Sequence, residues 1–377
     1  MVLAAVSLPM LFSCSNDRET EKARVKVDID VIPCAPSFVE VSPITTRAWT
    51  PPEGYLLYDH EFVNGQYVEQ ANLINNTIGV FFTQDGSSNP EAGSFFYDNA
   101  DNKWHSSMEI SSGNYYLYGF ISYESGVTPT ISPVSGSFSN GAILTLNNLP
   151  TVTPSDVCVV VGAKNGISEE EDGGLITGQF AYETQSGGEN HVFLLFDHLY
   201  SALNFKIKVE EKYNALRRIY LKQMALIPYN GTSVFSDKTN VTVTLASNTE
   251  GASPITSVTY TPVGGGSTNP QPLFQSQDNI GYELKTTETF IRGCFAPQGI
   301  TEFTLRSTYD VYDRYGNLIR KDCVADNKIN LAQVFVQAQE SYLKRGTMYS
   351  INMTIRPTYL YMLSEPDLDN PTITIEN

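Results

Sequence analysis

Four histidines and five cysteines are the residues of this 377-residue chain best suited to acid–base, nucleophilic or metal chemistry. Their spacing places none of them in a recognisable constellation. His191 and His198 flank "VFLLFD", whose apolar density implies burial, so His198 reads as a core or edge residue rather than a general base. No two cysteines stand as C-x-x-C and none has Cys/His ligand spacing, so no zinc site is expected. "GGG" at 264–266 lacks a following Lys-Ser/Thr and reads as a loop rather than a phosphate cradle. "DNADN" at 98–102 and "DLDN" at 367–370 lack the full ligand ladder of a calcium loop and read as turns. The acidic run Glu169–Asp172 reads as a solvated loop. Catalytic residues, a metal and a cofactor are therefore not expected, and neither is an enzyme.

The chemistry this sequence invites is chemistry done to it. Met1–Ser13, "MVLAAVSLPMLFS", carries no charge, is too short to span a bilayer and reads as the apolar region of a secretory signal. The basic segment that opens such signals is missing, so the natural start is expected further upstream. The signal ends in "LFSC", which resembles a lipobox, with Cys14 as the residue to be lipidated after cleavage. Acyl chains on Cys14 would hold the precursor on a membrane. Further on, Arg47-Ala48 lies in the Thr/Pro-rich stretch "SPITTRAWTPPEG", extended and open to a trypsin-like protease. Any exposed Arg has that property, and the bond acquires meaning only from its context. With Cys14 set aside, Cys34, Cys158, Cys294 and Cys323 remain, an even number in an exported chain. Cys294 and Cys323 share the C-terminal region and form the candidate disulfide.

The elements that must carry these residues are strands. Tyr (22) and Phe (19) are plentiful, while runs rich in Ala, Leu, Glu and Lys are scarce. In "RVKVDIDVIP", Val25, Val27, Ile29 and Val31 alternate with Lys26, Asp28 and Asp30, a strand in period two that needs a cover for its apolar face. Short strands with Gly/Pro turns follow, and they predict β-sandwiches. "YDRYGNLIRKD" predicts a hairpin turning at Gly316-Asn317. "AQVFVQAQESYL" is the one moderate candidate there for a short helix. "ETQSGGEN" at 183–190 is the best internal boundary. The net charge of -17 argues against nucleic acid, whose phosphates select Lys and Arg.

In order, the lipobox at Cys14, a short strand, "TTRA", "KWHSSMEISSGNYYLYGFISY", "PSDVCVVVGA", "VFLLFDHLYSALNFKIKV", "YDVYDRYGNLIRKD" and "RGTMYSINMTIRP" resemble the fimbrillins, subunits of the type V pili of Bacteroidales. The set runs nearly end to end. No single piece is strong alone, and the ordered set is fairly specific. Departures are the missing basic start and two extra cysteines in the C-terminal part.

The resemblance implies an all-β chain of two transthyretin-like β-sandwich domains in tandem with short helical insertions. It divides the sequence into a signal (1–13), a lipidated propeptide (14–47), an N-terminal sandwich (48–187) and a C-terminal sandwich with a tail (188–377). It implies a lipid-anchored precursor on the outer membrane, cut by an Arg-specific protease between Arg47 and Ala48, then built with other pilin subunits into a surface fimbria. Val25, Val27, Ile29 and Val31 would plug a groove until cleavage, and a neighbour's strand would then refill it by β-augmentation. Burying four such side chains contributes about 6–10 kcal/mol before ordering costs. The donor candidate is the tail "DNPTITIEN", with Leu368, Ile373 and Ile375; its alternative is an ordinary last strand of its own sandwich. Within the family the alternatives are a tip adhesin and a retained anchor. Outside it stands a surface glycan-binding lipoprotein, which would need an exposed aromatic platform from Trp49, Trp104 or the tyrosines at 115–118.

Overall fold

The computed structural model describes residues 24–29, 39–41, 59–63, 66–70, 77–86, 89–98, 103–106, 108–121, 126–154, 156–165, 177–186, 190–231, 233–247, 253–276, 280–336, 338–358 and 367–375. The described residues are almost all strand. The two helices among them, Glu211–Asn214 and Leu331–Val334, have four residues each. The helix expected over 332–343 therefore stops after its first turn. Leu331, Val334 and Phe335 bury at helical spacing, but Val336 already stands 64 % exposed, and Gln339 turns the backbone to φ 56°.

Two hydrophobic cores organise the strands. Around the first, a nine-stranded sheet runs Lys103–His105, Glu91–Asp98, Thr77–Thr83, Gly113–Ile121, Cys158–Asn165, Asn190–His198, Arg24–Ile29, Glu109–Ser111, with Ala181–Thr184 also on Gly113–Ile121. A four-stranded sheet of Thr128–Val134, Ser137–Pro150, Lys238–Ala246 and Ile255–Pro262 supplies the other layer. Ile78, Phe95, Leu117, Val159 and Leu194 of the large sheet share one buried cluster with Leu144 and Val243 of the small one. Between the layers the Tyr118 hydroxyl donates to the Phe138 carbonyl at 2.6 Å, which satisfies its buried polar end.

Around the second core, a five-stranded sheet holds Val39–Val41, Thr347–Thr358, Tyr200–Val209 and Thr289–Pro297, with Asp367–Ile375 also on Thr347–Thr358. It faces a six-stranded sheet built on Arg217–Asn230, Glu302–Asp313 and Leu318–Asn330. Phe205, Phe303, Ile219, Leu305 and Ile351 form that cluster. Gly316, at φ 90°, closes the Glu302–Asp313/Leu318–Asn330 hairpin where the turn was expected. The Asp313 carboxylate accepts from the Asn317 side chain and from the backbone N–H groups of Tyr315 and Asn317, each at 2.8 Å.

A cut at 187/188 separates elements that the sheets join. Asn190–His198 pairs with Cys158–Asn165 in the first sheet. The hairpin Lys238–Ala246/Ile255–Pro262 reaches back from the second half to extend the small sheet. Its registers Ala142↔Leu245, Leu144↔Val243 and Leu146↔Val241 place all six side chains in the first core. Strict alternation in "KTNVTVTLA" makes this possible: Val241, Val243 and Leu245 are each 0 % exposed. Gly141 allows the close approach, because a Cβ there would lie 2.0 Å from the Leu245 carbonyl oxygen. The chain crosses between cores near Tyr200–Val209, whose Tyr200 and Ala202 belong to the first cluster while Leu203 and Phe205 belong to the second.

Candidate strand-exchange site

The N-terminal strand Arg24–Ile29 sits inside the first sheet rather than on its rim. Its first half pairs antiparallel with Glu109–Ser111 through Arg24↔Ser111, Val25↔Ile110 and Lys26↔Glu109. Its second half pairs parallel with Asn190–His198 through Val27↔Asn190, Asp28↔His191 and Ile29↔Val192. The flanking Ile110 and Val192 are 1 % and 0 % exposed. Among the described strands, Glu109–Ser111 pairs only with Arg24–Ile29, and Asn190–His198 has its other partner on the far side. Lifting the strand out would leave two short stretches of unpaired backbone groups, one on Glu109–Ser111 and one on Asn190–Val192. The walls have their own supports. Tyr115 donates to the Ser111 carbonyl at 2.6 Å, and the buried Asn190 side chain accepts from Gln185 N–H and donates to Gln185 O.

Val25, Val27 and Ile29 thus have backbone positions in the sheet. Val31 lies outside the described residues, as do Cys14, Arg47 and Ala48. A second N-terminal segment, Val39–Val41, runs parallel to Thr347–Tyr349 on the outer edge of the five-stranded sheet. Further along the same edge lies the tail strand Asp367–Ile375, antiparallel, with Ile373↔Ile355 and Ile375↔Met353. Ile373 and Ile375 are half-buried against the second core. Leu368 lies in the backbone of the same strand. The tail is therefore docked on its own sheet in this state.

Cys294 and Cys323 are free thiols, which corrects the expected disulfide. Cys294 lies opposite Leu203 in the five-stranded sheet, and Cys323 lies opposite Tyr309 in the six-stranded one. Burial pushes the Cys294 thiol up to about 12. The tyrosines at 115–118 form no open aromatic platform, since Tyr115 and Tyr118 are 4 % and 0 % exposed. An open groove of ≈ 570 Å³ beside them is lined by Tyr116, Asn114, Gln84, Asp85 and Glu183 among others. Trp49 lies outside the described residues.

One cluster escaped the reading of the sequence. Cys158 and His198 face each other across paired strands, and Asp156 joins them. His198 Nδ1 lies 2.6 Å from Asp156 Oδ2 and 3.6 Å from Cys158 Sγ. Burial first, then the Asp156 carboxylate, pushes the Cys158 thiol well above its ordinary value. A nucleophilic triad needs one imidazole nitrogen on the thiol and the other on the carboxylate. Here the same nitrogen meets both, so the arrangement is not a nucleophile–base pair. Cross-strand alignment of residues 40 apart is the signal that would have found it.

No family model matches the sequence, and no curated protein matches it. Among solved structures, the chain is similar to a candidate cell adhesion protein of Bacteroides fragilis, at 11 % identity and TM-score 0.43, covering 94 % of this chain and 97 % of that one. A candidate cell adhesion protein of Bacteroides uniformis gives 13 % identity and TM-score 0.38, over 80 % and 90 %. A tip fimbrial protein of Porphyromonas gingivalis with a C-terminal truncation gives 9 % and 0.29, over 80 % and 92 %. At these scores the similarity decides neither fold nor function.

Proposed function

We propose that this chain is a non-enzymatic subunit of a cell-surface fimbria of the fimbrillin type. It is exported as a precursor lipidated at Cys14, cut between Arg47 and Ala48, and joined to other pilin subunits by strand exchange in support of adhesion. The observation that carries this reading is the seat of Arg24–Ile29: an N-terminal strand, severable by one cut downstream, that pairs by its first half with Glu109–Ser111 and by its second half with Asn190–His198. Such a strand leaves a slot best filled by another strand, because its neighbours' ladder groups lie beside the buried Ile110 and Val192. The tail Asp367–Ile375 is the proposed donor. Among the described strands it pairs with Thr347–Thr358 alone, and its two isoleucines are half-buried. Two transthyretin-like sandwiches are the domains proposed to carry slot and tail. The names of the similar structures are in keeping with this role.

The test is processing in cells. Surface-extracted protein should begin at Ala48 by mass spectrometry, and Arg47→Ala should leave monomers that keep the lipid on Cys14. Wild-type protein that keeps lipidated Cys14 in assembled fibres would favour a retained anchor instead. Polymer at normal yield from Arg47→Ala would overturn cleavage at this bond as the trigger.

A further inference from the structure

We propose that Asp156, Cys158 and His198 form a structural site for a divalent metal of the zinc type, which clamps the chain where it crosses from the first core to the second. The donor atoms of the three residues all lie within 4.8 Å of one another, and the residues are 0 %, 0 % and 4 % exposed. Around a tetrahedral zinc, with bonds of about 2.0–2.3 Å, neighbouring donors stand about 3.2–3.8 Å apart. The His198 Nδ1 to Cys158 Sγ distance of 3.6 Å already falls there. The 2.6 Å separation of Nδ1 from Asp156 Oδ2 must open by about 0.6 Å or more, a movement of the two side chains, to reach that range.

An independent observation points the same way. Asp156 Oδ1 is buried and has no hydrogen-bond partner. A buried carboxylate oxygen without a donor calls for an ion or a water. Bidentate binding would use this oxygen and give one sulfur, one nitrogen and two oxygens, in a distorted tetrahedron because the two oxygens of one carboxylate stand closer than separate donors. That mixed set suits zinc or cobalt(II), whereas calcium and magnesium select oxygen alone. On binding, the thiol proton leaves to solvent and the imidazole carries its remaining proton on Nε2.

The surroundings give the site a mechanical position. Asp197 pairs with Arg345 at 2.9 Å, Arg345 also donates to the His198 carbonyl, and Leu199 N–H donates to the Val157 carbonyl. Two residues beyond His198, Tyr200 starts the strand that carries the chain into the second core. The inference stands apart from the strand-exchange reading, because metal binding is read on the uncut chain.

The full chain, unfolded with chelator and refolded with cobalt(II), should bind one ion at this site. It should show a thiolate-to-cobalt absorption band that zinc abolishes and Cys158→Ser lacks. Zinc should raise Tm by about 5 °C or more in wild type and leave Cys158→Ser unmoved. Cys323→Ser is the control and should keep the band. A band that survives Cys158→Ser, or one lost with Cys323→Ser, overturns the assignment. Should Cys158→Ser fail to fold, wild type alone decides. After refolding with excess cobalt or zinc and dialysis, no bound metal, no band and an unchanged Tm would mean a buried Asp–His pair beside an inert thiol.

Discussion

The first and last described strands, Arg24–Ile29 and Asp367–Ile375, are both added to sheets, and they are added differently. Arg24–Ile29 joins two strands of the nine-stranded sheet, one through each of its halves, whereas Asp367–Ile375 pairs, among the described strands, with Thr347–Thr358 alone. Removing an interior strand divides a sheet and exposes two edges; removing an outer strand uncovers one. The sheets around the two cores differ in the same sense. The first depends on segments from far away in sequence, the N-terminal strand and the hairpin at 238–262. The second draws most of its strands from residues 200–358. A layer completed by remote segments can be opened by losing one of them, while a layer of contiguous segments is harder to empty.

The first way to break that comparison is to hollow out the returning hairpin. Leu245→Ala should cost about 2–5 kcal/mol in urea unfolding, the range for emptying a buried leucine site. Hydrogen exchange should locate the loss around the first core. Equal loss around Phe303 and Ile351 would mean that the cores do not open separately.

Next in size is a charge site within the second core's own sheets. Lys222 Nζ reaches Asp322 at 2.6 Å and the buried Asp310 at 3.2 Å. Lys222→Met strands the Asp310 carboxylate and should cost about 1–3 kcal/mol, less than a fully buried pair because Lys222 is partly solvated. Adding Asp310→Asn should recover part of it, and no recovery would show that the packing of the lysine stem dominates.

Smaller still is the tail. Ile373→Ala removes a half-buried side chain and should cost about 1 kcal/mol, read in thermal melts of the uncut chain. A cost as large as that of Leu245→Ala would place the tail within the core and argue against its release.

How much of this was legible in the sequence follows from the range of each signal. Alternation is local, so "RVKVDIDVIP" read as a strand, and Gly316-Asn317 read as a turn. Which layer a strand joins is not local. Val241, Val243 and Leu245 carry no mark that sends them to Ala142, Leu144 and Leu146 rather than to their own neighbours. The boundary placed at 187/188 rested on "ETQSGGEN", a loop, and two later segments cross back over it. The seat of Arg24–Ile29 was half legible: the apolar face of that strand required a cover, and its neighbours could not be named. The Asp156–Cys158–His198 cluster was hidden because antiparallel pairing aligns residues that no motif spacing connects.

The smallest effect concerns charge on the open face of the second core. Arg306 and Asp326 form a two-pronged pair at 2.7 Å with both side chains well exposed. The hydrogen bond from Arg306 holds the Asp326 carboxyl below its ordinary value. A depressed folded pKa stabilises above the unfolded value of about 3.9 and loses that contribution as pH falls through the folded value. Solvent screening keeps this to a few tenths of a kcal/mol. Asp326→Asn should therefore narrow the difference in stability between about pH 6 and pH 3 by that amount and no more.

On the proposed mechanism Arg24–Ile29 fills a slot that must be vacated before subunits join. Lys26 and Glu109 are direct cross-strand partners. Adjacent strands lie within disulfide range, so Lys26→Cys with Glu109→Cys, in a chain whose Cys34 and Cys323 are serine, should form a bond that retains the strand after cleavage. With an Arg-specific protease, the reduced form should give a ladder of oligomers on a denaturing gel, and the oxidised form should be cut at Arg47 yet stay monomeric. Equal ladders from the oxidised and reduced forms would contradict the account.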